Sequence, residues 1–302
     1  TANSRPVAMP DAWRISTHFL DDARFRRISE LIESREKHDV QSVQDIQYDR
    51  KDLNAARILP VLLADVQTPD PDAARCLQIL RDWDYVASPE STGATVWAVF
   101  HGEFMREGLE NSLGVGGFSS YLSAAVPGWS IVDRLQPAWG SGGGLERYYP
   151  DRPKAVAAAL GRSCTLLAER MGDDSAAWTW GLAHPLRLKH PFGGASSLLK
   201  KWNVEDMAIG GTPNTVNAAS YDSRDWPFVV GSIPSMRLIQ PLSDLSQTRF
   251  SHPGGSSGHP RHPHNVDLLP TWASGATVPF WSADADVQAH TESLLSLVPA
   301  GN

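Results

Sequence analysis

An α+β fold is predicted, a helical N-terminal half followed by strands, and three observations predict it. Apolar residues in the first third recur every three or four positions, the signature of helices packing on one another. Beyond Trp178 the apolar period falls toward two while glycines and prolines multiply, which suits short strands and turns. The helices come first and the strands later, so the order is not a βαβ alternation. Of the 302 residues, 41% are hydrophobic and 20% charged, the balance of a packed chain rather than a disordered one. That length suits one large domain or two ordinary ones.

The first helix is read from Phe25, Ile28, Leu31 and Ile32, with Asp21 as its cap and Leu20 stapled to Phe25. Ser42 and Asp45 have capping-box spacing and suggest a short second helix. Asp52 opens a third, carrying Leu53, Ala56, Leu59, Leu62, Leu63 and Val66, and Pro69 and Pro71 stop it. Asp72 leads into Ala73, Cys76, Leu77, Leu80 and Trp83. Ala94, Trp97, Phe100, Phe104 and Leu109 mark a fifth helix. Residues 1–110 therefore form a helical region. Residues 111–152, punctuated by Gly114, Gly116, Gly117, Gly140, Gly142, Gly143 and Gly144, read as a Gly-rich loop region. Residues 153–302 are expected to hold a helix from Pro153 to Met171, a β-rich region and a terminal helix from Asp284 to Val298. The strand candidates are Trp226–Gly231, Met236–Ile239 and Val278–Trp281.

Charge and cysteine usage narrow the classes. Lys and Arg number 27 against 34 Asp and Glu, a net charge of −7, which argues against broad binding to a phosphate backbone. No run approaches about 18 uninterrupted apolar residues, so no membrane-spanning helix is expected. Arg5, Asp11, Arg14 and Asp21 interrupt the opening stretch, which does not read as a signal peptide. Cys76 and Cys164 sit at apolar positions of helical patterns and read as buried thiols, with a single disulfide as the second reading.

Four patterns could carry chemistry. Gly254-Gly255-Ser256-Ser257-Gly258 fits G-x-S-x-G, but a nucleophile elbow needs a helix after the serine, and Pro260 and Pro263 forbid it. His252, His259, His262 and His264 cluster without an acidic or thiol partner at a metal-ligand spacing, and read as a surface loop. Thr1 joins a hydroxyl to an α-amine, but Pro6 and Pro10 deny it a buried strand. Asn3 can donate its amide to a developing oxyanion, and Arg24 at a helix start opposes the helix dipole and calls for a partner across a cleft.

Several segments share a wider likeness. Thr1-Ala2-Asn3-Ser4-Arg5-Pro6, the Arg24-bearing helix start, Ser42 to Tyr48, and Gly211-Thr212-Pro213-Asn214-Thr215-Val216-Asn217-Ala218 each resemble a stretch of the penicillin acylase family, in the same order. Gly255-Ser256-Ser257-Gly258 through His264, Asp267 and Trp272 resembles that family's Gly-Gln-Ser-Gly…His-x-x-Asp…Trp run. Members are N-terminal nucleophile hydrolases that cleave themselves from one precursor. A serine or cysteine at the new terminus then attacks an amide carbonyl, with its own α-amine as base.

The resemblance implies that the strands complete an αββα sandwich and that the helical region lines the cleft. It implies that Asn3 sits in the oxyanion hole, supported by Arg24, and that the nucleophile lies outside this chain. The chain would be the C-terminal part of a large subunit, with a small alpha chain and the upstream part of the beta chain as partners from the same precursor. The implied substrate is an N-acyl compound: a β-lactam, an acyl-homoserine lactone or a lipopeptide. No cofactor is implied for the chemistry. A structural calcium is, and Asp11 stands a residue or two from the position of one ligand. Relatives mostly act in the periplasm or outside the cell. The sequence departs from the family at Ser256-Ser257-Gly258, at His262 in place of a serine and at Leu268 in place of a glutamine. The alternative is a non-catalytic binding or scaffold module gripping a partner through Trp129, Trp139, Trp178 and Trp180.

Overall fold

The computed structural model describes residues 2–5, 15, 22–124 and 146–299. In chain order the helices are α1 (Ala23–Glu33), α2 (Val40–Gln47), α3 (Leu53–Leu62), α4 (Pro71–Asp82), α5 (Thr92–Ala124), α6 (Arg152–Met171), α7 (Trp180–Ala183), α8 (Leu269–Ala273) and α9 (Asp284–Ala289). The strands are β1 (Pro185–Leu188), β2 (Val204–Ala208), β3 (Ser220–Tyr221), β4 (Val230–Ser232), β5 (Arg237–Ile239), β6 (Arg249–Ser251) and β7 (Val278–Pro279). They fall in two compact units, Thr1–Glu36 with Tyr48–Pro234, and Lys37–Gln47 with Ser235–Asn302.

Local signals set most helix starts in the first unit. Asp52 accepts from Ala55 N, Asp70 from Asp72 N and Asp151 from Lys154 N, each satisfying an amide that the helix leaves orphaned. The α1 cap is Asp22 rather than Asp21, and its carboxylate makes no cap bond, turning instead to Arg26 Nε at 2.9 Å. Leu20 and Asp21 lie outside the described residues. The apolar stripes of α3 to α6 then meet in one core, where Ile58, Leu62, Leu80, Phe100, Phe104, Leu160 and Leu167 are all fully buried.

That core corrects the reading of two free thiols. Cys76 on α4 and Cys164 on α6 form a disulfide, with Cα atoms 5.9 Å apart across a sequence separation of 88. Burial of each cysteine follows from its own helix; the pairing depends on how two distant helices face each other. The expected loop after Asn111 also needs correction, because α5 runs on to Ala124. Phe118 is buried at helical spacing from Tyr121 and Leu122, and that packing overrides the glycines. The helix breaks once, at Gly114 (φ 70°, ψ 165°), a conformation that suits glycine. Residues 125–145 lie outside the described residues.

The sheet of this unit has the order β2-β1-β4-β3, with β1 antiparallel to β2 and parallel to β4. Only the end of the Trp226–Gly231 candidate is strand, since Pro227 has no amide to give the ladder. Behind it, His184 is fully buried and stacked on Trp180, with ring centroids 4.4 Å apart. Its Nδ1 lies 2.8 Å from Phe228 O, so Nδ1 carries the proton, and Nε2 has no partner among the described residues. Burial pushes its pKa down to about 4 from an ordinary 6.5. The unfolded chain therefore takes up this proton first as pH falls. Stability should be intact above pH 6.5 and fall by on the order of 3 kcal/mol as pH drops to about 4. His184→Gln keeps a donor but does not titrate, and should flatten this part of a urea-midpoint profile taken from pH 7 to pH 4. An unchanged profile would remove His184 as the cause.

In the second unit, α2 is opened by a capping box one turn earlier than expected. Asp39 accepts from Ser42 N at 2.8 Å and Ser42 Oγ from Asp39 N at 2.9 Å. The sheet β5-β6-β7 is antiparallel. It joins α2 through Gln47 Nε2 to Leu238 O (3.0 Å) and Thr277 Oγ1 to Gln44 Oε1 (2.7 Å). Arg237 donates to Trp272 O at 2.7 Å and stacks over that ring. The terminal helix is shorter than expected. It ends at Ala289, and Leu294 and Leu295 of the following segment are exposed, so the apolar stripe that predicted helix up to Val298 is not packed.

Candidate functional site

Residues 2–5 form a turn in which Ala2 (φ 44°) and Asn3 (φ 60°) both adopt the left-handed region. Asparagine tolerates that region; alanine rarely does, so something holds the turn. Arg24, in the first turn of α1, donates from Nη2 to Asn3 Oδ1 at 2.8 Å and to Ala2 O at 3.0 Å. Guanidinium has no acceptor, so Oδ1 must face it and the Nδ2–H donors point elsewhere. Asn3 is exposed, and Arg24 is half-buried, with burial holding its pKa below the ordinary arginine value. The two residues singled out from the sequence are thus in contact across 21 positions.

One turn further along α1, Arg27 grips Asp49 with both arms of its fork, Nε to Oδ1 at 3.0 Å and Nη2 to Oδ2 at 2.7 Å. Asp49 O accepts from Asn217 N at 2.9 Å. The segment Gly211–Asn217 is a buried polar hub. Gly211 has φ 97°, and a Cβ there would overlap the Asn217 carbonyl. Thr215 Oγ1 accepts from Thr212 N (2.9 Å) and donates to Asn217 O (2.8 Å). Thr212 Oγ1 donates to Asp52 Oδ2 at 2.7 Å, while Oδ1 of the same carboxylate caps α3. Nothing in the residue patterns pointed to the pairs Arg27–Asp49 or Thr212–Asp52, because their partners come from remote segments.

After Ser256 the chain continues through turns to the single short helical turn Pro263–Asn265, so the strand–serine–helix elbow of an esterase is absent among the described residues. Ser257 N donates to His264 O, Asn265 Nδ2 donates to Ser257 O, and His264 Nδ1 lies 2.6 Å from Asp267 Oδ2. A Cβ on Gly255 would overlap the His264 carbonyl and the Asp267 carboxylate, so glycine is required to close this loop. Among the described residues no group of His, Cys, Asp or Glu gathers to hold a metal. Asp11 and Thr1 lie outside the described residues. Trp178 and Trp180 are fully buried, their indole N–H groups donating to Gly172 O and Gly211 O. They are core residues, which removes them from the Trp-rich gripping surface; Trp129 and Trp139 lie outside the described residues.

Two recesses open on the first unit. One, of about 300 Å³, is walled by α5, α6 and the 223–228 segment, with Glu103, Arg106 and Phe118 among its lining. The other, of about 420 Å³, includes Arg170, Leu182, Arg187 and Trp226. Arg170 lies over the Trp226 ring at 4.8 Å and borders both. Neither recess is lined by Asn3 or Arg24.

Residues 1–289 match the family model for penicillin amidase. The chain belongs to the penicillin amidase family. It is 24% identical over 338 aligned positions to the acyl-homoserine lactone acylase QuiP of Pseudomonas aeruginosa, an alignment that takes in 99% of this chain and 39% of that protein. Its fold is similar to that of a thermostable penicillin G acylase from Alcaligenes faecalis, with a TM-score of 0.53 at 12% identity, covering 95% of this chain and 54% of that one. The chain thus spans between two-fifths and about half the length of these relatives. The likeness in fold agrees with the α+β class. No helix among the described residues is long and apolar enough to cross a membrane.

Proposed function

We propose that the chain is the downstream part of an acylase large subunit, which hydrolyses the N-acyl amide of a small molecule. The observation that carries the reading is the Arg24–Asn3 contact. A cation on Oδ1 polarises the amide and turns its N–H donors toward a site where negative charge can develop. A serine or cysteine outside this sequence attacks the carbonyl, its own α-amine taking the proton. Asn3 Nδ2 then donates to the tetrahedral oxyanion, and collapse of that adduct expels the amine. Water hydrolyses the acyl-enzyme and releases the acid.

The partners are the remainder of the same precursor, a small alpha chain and the upstream part of the beta chain. The substrate class is a β-lactam, an acyl-homoserine lactone or a lipopeptide. The Cys76–Cys164 disulfide supports a periplasmic or secreted location, since such bonds persist in oxidising compartments. Calcium has no support and is not part of this reading.

The test is the processed full-length protein incubated with an N-acyl-homoserine lactone, a penicillin and phenylacetyl and decanoyl p-nitroanilides. Released amine and carboxylic acid are then followed by mass spectrometry. At least one substrate should yield both products in equal amounts. Complete inertness of processed protein toward the whole panel would overturn the acylase reading.

A further inference from the structure

We propose that Arg27, through its fork on Asp49, is the positioning residue that keeps the Arg24–Asn3 pair aimed. The proposal rests on the reading of Asn3 as oxyanion donor. It starts from how weakly α1 is packed. Ala23 is the one buried residue of the helix, and its apolar Phe25 and Ile32 are 46% and 49% exposed. A helix draws most of its stability from burying an apolar face, so α1 needs another tie. Arg27 supplies one. It stands three positions after Arg24 and therefore on a neighbouring part of the same helix face.

Asp49 is a firm anchor. Its side chain is 15% exposed, and its Oδ1 also accepts from Lys51 N at 3.2 Å. Its carbonyl is bound by Asn217 N. Three residues on, Asp52 is fully buried and ties the same strand of chain to α3 and Thr212. The Asp49 carboxylate holds the Arg27 pKa above its ordinary value, so the guanidinium stays charged. A rigid path thus runs from the Gly211–Asn217 hub through Asp49 and Arg27 into α1, and from Arg24 to Asn3. Loss of the fork frees α1 to rock, and a shift of about 1 Å at an oxyanion donor is enough to cost a large part of the rate.

The test is a double-mutant cycle on the processed full-length enzyme, using whichever of the four panel substrates it cleaves fastest. Arg27→Ala should lower kcat by about 10²-fold with KM within a few-fold, because the fork sets the aim of the oxyanion donor, which matters most in the charged adduct. Arg27→Lys keeps the charge but not the fork, and should fall between the two. In an Asn3→Ala background, Arg27→Ala should cost little more, because Arg27 acts through Asn3. A role in folding alone would multiply instead, giving the same fold-loss in both backgrounds, and that result overturns the proposal. So does an unchanged kcat in Arg27→Ala. If Arg27→Ala does not fold, Asp49→Asn takes its place in the cycle, with the same outcomes deciding. Failure of the underlying reading looks different: Asn3→Ala itself would then keep full activity, or the unaltered enzyme would cleave none of the four panel substrates, and the proposal falls with it.

Discussion

Replacing Asn3 by alanine is expected to lower kcat by about 10²–10³-fold, with KM changed by no more than a few-fold. The asymmetry follows from where the charge is. A ground-state carbonyl carries little negative charge, so losing one donor barely weakens substrate binding. The tetrahedral adduct carries a full charge, and one missing donor raises its barrier by roughly 3–4 kcal/mol. Asn3→Asp should be worse, because it sets a carboxylate against the oxyanion and pairs it with Arg24 at the former amide contact. Steady-state kinetics on the processed enzyme decide it. A purely KM-based defect in Asn3→Ala would mean that this amide binds substrate and does not stabilise the adduct.

Breaking the Cys76–Cys164 bond is expected to have the largest effect on stability. The bond closes a loop of 88 residues between α4 and α6. By the loop-entropy estimate, opening it costs about 4.6 kcal/mol, mostly by enlarging the unfolded ensemble. Both sulfurs are fully buried in the helical core, so a double Cys→Ala variant also loses packing, and Cys→Val should recover part of that. Urea unfolding with and without reductant separates the contributions. Reductant should destabilise the native protein and leave the double variant unmoved. An unaltered midpoint on full reduction of both thiols would show that the bond carries no stability.

How far the sequence could be read depended on the range of the interaction. The helices α3, α4 and α6 were legible because their signals are local: Asp52 and Pro153 at the N-termini of α3 and α6, and Leu59, Cys76, Leu80, Leu160 and Leu167 at three- and four-residue spacing. The continuation of α5 to Ala124 was hidden, because the glycines between Gly114 and Gly117 argue for loop while Phe118 is buried by contacts that spacing alone does not reveal. From the residues alone Asn3 and Arg24 stand apart, one marked by its amide and one by its misplaced charge at a helix start, and only the family resemblance pairs them. Their contact depends on the left-handed turn at Ala2 and Asn3, for which no sequence signal exists. The Arg27–Asp49 fork and the Asp52–Thr212 bond stayed invisible, since each joins a common charged or hydroxylic residue to a partner far along the chain. The disulfide belongs with them: two buried cysteines were evident, and their mutual distance was not.

The bond from Thr212 to Asp52 spans 160 residues, and this has a consequence during synthesis on the ribosome. Helix α3 emerges long before the threonine that completes its cap carboxylate. At about 5–20 residues per second, the wait is about 10–30 seconds. Through that interval the polypeptide carries a half-solvated acid in what will become its interior. The turn at residues 2–5 and the arginines of α1 therefore gain their full support only after Thr212 has emerged.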